Sequence, residues 1–68
     1  MNEDNLNMEI RKYLKKVGIT SQRIIENYIR EADNNGTIKA GDEIELNVRL
    51  SIKNFQSSDT IDGKITIE

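Results

Sequence analysis

The sequence predicts an α+β domain: an N-terminal αα-hairpin packed on one face of a C-terminal antiparallel β-hairpin or three-stranded sheet. Three observations carry this. Up to Ala32 the apolar residues recur at helical spacing, in two blocks. Between the blocks, Gly18-Ile19-Thr20-Ser21 reads as a short break. After Gly36 the period becomes two, and five apolar residues alternate with five polar ones. Two amphipathic helices and a one-sided sheet bury their apolar faces most simply as two layers.

The first helix is expected at about residues 4–17. Leu6, Ile10, Tyr13, Leu14 and Val17 fall on one stripe of about 100°, the width a half-buried helix needs. Asn2 and Asp4 are both candidate N-caps, and Glu3, Asp4 and Glu9 suit the positive helix start. Lys15 and Lys16 suit its negative end, with Gly18 at a left-handed position after the last turn.

The second helix is expected at about 21–34. Thr20 or Ser21 would cap it, with Ile19 and Ile24 forming a hydrophobic staple. Ile24, Ile25, Tyr28, Ile29 and Ala32 give a stripe of about 140°, wide enough for two neighbours. Glu26 and Arg30 form a favourable i,i+4 pair. Asn34-Asn35-Gly36 ends the helix.

Ile44, Leu46, Val48, Leu50 and Ile52 alternate with Glu45, Asn47, Arg49, Ser51 and Lys53, which predicts a strand at about 43–54. Ile61, Ile65 and Ile67, with Gly63 on their face, predict its partner at about 60–67. Residues 37–39 form a third strand in the three-stranded alternative. Apolar residues face apolar ones only if paired numbers sum to an odd value. The expected sum is 115, with Leu50 opposite Ile65, Val48 opposite Ile67 and Lys53 opposite Asp62, around a loop at 56–59. A sum of 111 stays open. The expected core is Leu14, Ile25, Tyr28, Ile29, Leu46, Val48, Leu50, Ile65 and Ile67.

Composition bounds the function. At 68 residues the chain is one domain, 1–68. Its apolar share is 35% and its charged share 32%, so any core is modest and folding lies close to break-even. That favours self-association. There is no Cys and no His, so neither a disulfide nor an ordinary zinc site is available. No apolar run approaches a membrane span, and the acidic start is unlike a secretory signal. The expected location is cytoplasmic.

Four constellations bear on chemistry. Arg11, Lys12, Lys15 and Lys16 lie opposite the Leu6–Val17 stripe, with Met8 among them. This face is the candidate partner-binding site; the plainer reading is a solvated helix face. Residues 6–33 resemble a helix-turn-helix, which gives a nucleic-acid-binding regulator as the alternative function. Against it, the would-be reading helix carries Arg23 and Arg30 against Glu26, Glu31 and Asp33, and DNA affinity needs positive charge. Asp33-Asn34-Asn35-Gly36 departs from the calcium-loop spacing, and Asp42, Glu43 and Glu45 suit solvation at a strand start. Ser21, Ser51, Ser57 and Ser58 have no His to activate them. The expectation is a non-catalytic protein-interaction or accessory module, not an enzyme, with no catalytic, cofactor or metal site. Nucleic acid and membrane are not expected partners. An unidentified protein is, and so is a second copy joined through the edge of the C-terminal strand.

Met1-Asn2-Glu3-Asp4, the stretch Asn7-Met8-x-Ile10-Arg11-Lys12, and Val17-Gly18-Ile19-Thr20-Ser21-Gln22-Arg23 resemble the opening of a family of short proteobacterial proteins of unknown function. The likeness runs the full length, with its specific part in residues 1–23. It implies a complete bacterial protein and transfers no functional residue.

Overall fold

A computed structural model describes residues 1–68, which divide into two units, Met1–Asn35 and Gly36–Glu68. The first unit is one uninterrupted helix, α1, Glu3–Asn34. The expected αα-hairpin is absent: the segments at 4–17 and 21–34 are halves of a single 32-residue helix, about 48 Å long at 1.5 Å per residue.

The ends of α1 are those the sequence indicates. Asn2 is the N-cap, its Oδ1 accepting from the Asn5 amide at 3.0 Å, and Glu3 and Asp4 occupy the first turn. At the other end the Asn35 amide donates to the Glu31 carbonyl at 3.0 Å. Gly36 follows with φ 72°, the left-handed geometry expected of Gly18.

The reason the break fails to form is energetic. Two helices in place of one would strip up to four N–H and four C=O groups of their intrahelical partners. Carrying Gly18 inside a helix costs only about 1 kcal/mol relative to Ala. Thr20 and Ser21 are helix-tolerant, and the chain has no Pro to force a stop. A capping motif is permission to end a helix, and here nothing enforces it.

The second unit is an antiparallel hairpin of β1, Glu43–Ile52, and β2, Ser57–Thr66. β1 starts where expected and ends two residues before 54, and β2 starts three residues before 60 and ends one before 67, because the register differs. Pairs run from Glu43 with Thr66 to Ile52 with Ser57, a sum of 109 in place of 115. The odd parity holds, so one face carries Ile44 beside Ile65, Leu46 beside Gly63 and Val48 beside Ile61. The observed register is thus neither 115 nor the open 111; it pairs Ile44 with Ile65 and Leu46 with Gly63 and sets Glu45 opposite Lys64. Lys64 reaches diagonally to Glu43, Nζ to Oε1 at 3.2 Å.

The loop is Lys53-Asn54-Phe55-Gln56, closed by the Phe55 amide donating to the Ile52 carbonyl at 3.1 Å. Gln56 takes φ 54° to complete it. Phe55 stands in solvent, 77% exposed.

The third strand at 37–39 does not form. Asp42 captures the segment instead: its Oδ2 accepts from the Lys39 amide at 3.0 Å, and its own amide donates to the Lys39 carbonyl at 3.1 Å. This turn, with Gly41 at φ 95°, is tied to the end of β2 by Ile67 donating to the Asp42 carbonyl at 2.9 Å.

No residue of the chain is buried. The nine expected core positions, Leu14, Ile25, Tyr28, Ile29, Leu46, Val48, Leu50, Ile65 and Ile67, are all half-buried or exposed. The expectation rested on two helices packed against each other and over the sheet's apolar face, and the second helix does not exist as a separate element. A single helix, like a two-stranded sheet, has one apolar face and no opposing layer within its own unit.

Candidate interaction surface on the long helix

A continuous α1 brings its two apolar blocks into one stripe. Ile10, Val17 and Ile24 lie seven residues apart. Leu6, Tyr13 and Thr20 stand four residues before them, and Leu14, Ser21 and Tyr28 four after. A seven-residue repeat keeps such positions along one seam of a helix. The seam is open to solvent: Ile10 is 46% exposed, Ile24 51% and Tyr28 71%.

The sequence-predicted site residues Met8, Arg11, Lys12, Lys15 and Lys16 all lie on α1, exposed, on the face opposite this seam. None of the four cations is in an ion pair; the chain's two salt bridges are Arg30 with Glu26 and Lys64 with Glu43. Continuity of the helix adds a residue that sequence reading assigned elsewhere. Ile19, expected as half of a capping staple, falls in line with Met8, Lys12 and Lys15 at i, i+4, i+7 and i+11. Met8 and Ile19 are 63% and 52% exposed, so apolar side chains flank the cations on both sides. The signal that would have found both arrangements is the seven-residue spacing of Ile10, Val17 and Ile24, which crosses the supposed break without a change of phase.

The helix-turn-helix reading of residues 6–33 loses its turn, because Gly18 to Ser21 are helical. One uninterrupted helix cannot set one half across a phosphate backbone while the other enters a groove at a steep angle.

Further along, Glu26 accepts from Gln22 Nε2 at 2.9 Å and from Arg30 Nη2 at 3.3 Å. The Gln22 hydrogen bond first, then the Arg30 charge, holds the Glu26 carboxyl below its ordinary range. The expected i,i+4 pair is thus present, extended one turn toward the N-terminus.

On the hairpin, an open hollow of about 500 Å³ is lined by Glu45, Leu46, Asn47, Asp62, Gly63 and Lys64. Gly63 leaves a notch in the apolar face beside Leu46; a Cβ built there would meet nothing within 4 Å. Nowhere do three His, Cys, Asp or Glu side chains gather in a group that could hold a metal ion. No helix is long and apolar enough to cross a membrane.

These features define a small α+β protein whose most extensive surface feature is a bare amphipathic helix. The chain belongs to the DUF6494 family, a family of unknown function, whose profile matches residues 1–68. No curated protein and no solved structure matches it.

Proposed function

We propose that this chain is a small non-catalytic protein-interaction module of the bacterial cytoplasm, and that its docking surface is the apolar seam of α1. The carrying observation is that this seam stays half-exposed from Leu6 to Tyr28 while the chain buries no residue at all. Lone helices are marginal in water, and most helical stability comes from packing an apolar face. A surface of this kind is explained by a partner that covers it. The cations on the opposite face, with Met8 and Ile19, offer a separate contact strip, which the seam's partner does not cover, for an acidic segment of a further protein. Self-association belongs to the proposal. The lack of Cys fits a reducing compartment. The Ser residues have no His to activate them, which supports a binding role over catalysis.

Photo-crosslinking in the native host tests this. A photoreactive side chain at Tyr28, on the seam, should give discrete protein adducts that Leu14→Gln abolishes. Equal, diffuse labelling from Tyr28 and from Lys12 would contradict the proposal.

A further inference from the structure

We infer that the partner of the α1 seam is a second copy of this chain, joined helix to helix as a short two-stranded coiled coil. The inference rests on the seam being a docking surface, and four observations select the occupant.

The first is the period. An apolar face repeating every seven residues matches another helix that supercoils around it, whereas a globular groove sets no such requirement. The second is residue type. With Leu6, Tyr13 and Thr20 taken as the d positions, Ile10, Val17 and Ile24 are the a positions and all β-branched, the choice at a that favours two strands. Thr20 and Ser21 put small polar groups at the middle of the seam, where a second copy aligned centre to centre sets polar groups beside polar groups.

The third is charge. Arg11, Lys12, Lys15, Lys16, Arg23 and Arg30 balance Glu3, Asp4, Glu9, Glu26, Glu31 and Asp33, so α1 is neutral and does not repel its copy. The fourth is area. The six large apolar residues exposed on the seam, Leu6, Ile10, Tyr13, Leu14, Ile24 and Tyr28, range from 36% to 71% exposed. Covering them and their half-buried neighbours removes roughly 700 Å² per copy, or about 1,400 Å² per pair, a standard stable interface.

The strand edge is the weaker route. Its case needed residues 37–39 to occupy the other edge of the sheet. With only β1 and β2 present, both strands are edges and nothing singles out β2.

The test is multi-angle scattering of the native chain at about 100 μM, beside two double variants. Ile10→Gln with Ile24→Gln empties the seam; Met8→Gln with Ile19→Gln removes exposed apolar side chains from the opposite face. Gln is a good helix former, so neither pair breaks the helix by propensity. The expected result is a dimer for the native chain and for the Met8/Ile19 variant. The seam variant should be a monomer, its dissociation constant raised roughly 100-fold or more. Oxidative cross-linking adds a readout free of folding effects, since the native chain has no Cys. Single Cys variants mixed pairwise should cross-link at 10, 17 and 24 and not at 12 or 15. A monomeric native chain, a dimer that survives in the seam variant, or cross-linking indifferent to face would each overturn the second-copy assignment. A monomer that still gives seam-specific adducts in the host would leave the wider docking proposal standing.

Discussion

The helix and the hairpin begin from the same problem, an apolar face with no opposing layer within its own unit, and differ in what each satisfies alone. In α1 every backbone group away from the ends is hydrogen-bonded within the element, and the ends are capped by Asn2 and Asn35. Only side chains remain to be covered. In the hairpin, ten cross-strand pairs satisfy the inner edges, and each strand has a bare outer edge as well as a bare face. The helix therefore needs a partner for stability alone, while the hairpin offers main-chain hydrogen bonds too. The lesson is that backbone satisfaction, more than side-chain pattern, decided where the elements of this chain stop. The helix ran through a permissible break, and the hairpin closed with ten cross-strand pairs in a register the side-chain pattern did not single out.

Substitutions break or sharpen that comparison. The largest effect is expected from Ser21→Pro. In a continuous helix this removes a hydrogen bond and clashes with the preceding turn, costing about 3 kcal/mol or more, and the 222 nm signal should fall steeply. Were Ser21 the first residue of a second helix, Pro would be tolerated there. Gly18→Ala should act in the opposite sense, stabilising α1 by about 1 kcal/mol in thermal or urea melts, because mid-helix Gly is costly. A left-handed Gly18 would make the same substitution destabilising.

In the hairpin, Gly63→Val should stabilise by about 0.5–1 kcal/mol. The site is open, its φ is not positive and β-branched residues suit strands. Destabilisation would mean that something already fills the notch beside Leu46. A smaller gain, about 0.3–1 kcal/mol, is expected from Asp33→Lys. The last turn of α1 carries Glu31 and Asp33 and no cation, against the sense of the helix dipole; guanidinium-free thermal melts at low salt would show it.

The smallest effect concerns pH. Glu26 has its pKa lowered in the folded helix, so its contribution is present above the ordinary value of 4.5 and is lost as pH falls through the lower folded value. Gln22→Ala should reduce this acid-side loss of helicity in a circular-dichroism pH titration; an unchanged profile would show that the Gln22 contact is not formed in solution.

The α+β class, both outer boundaries of the helical region, the position of the hairpin and its odd parity were legible in the sequence. Each follows from a local signal: Asn2 as a cap, Asn34-Asn35-Gly36 as a stop, alternation from Ile44 onward. What was not legible depended on competition between signals. Gly18, Thr20 and Ser21 form a good cap sequence, and only comparison with the cost of opening the helix shows that the cap goes unused. The hairpin register was not legible because every odd sum keeps the apolar alternation on one face: the hairpin pairs Ile44 with Ile65 and Glu45 with Lys64, not Lys53 with Asp62 as in the expected alignment. The basic face was found from the sequence as Met8, Arg11, Lys12, Lys15 and Lys16. Ile19 was missed because it was read as part of a cap.

The central claim is that α1 is one helix whose seam is continuous from Leu6 to Tyr28. Backbone Cα chemical shifts for residues 17–22 test it most directly. A continuous helix gives an unbroken run of helical secondary shifts through Gly18, Ile19, Thr20 and Ser21, with slowed amide exchange at each. Random-coil or left-handed shifts at Gly18 and Ile19, followed by a fresh N-cap pattern at Thr20 or Ser21, would contradict it and restore two helices.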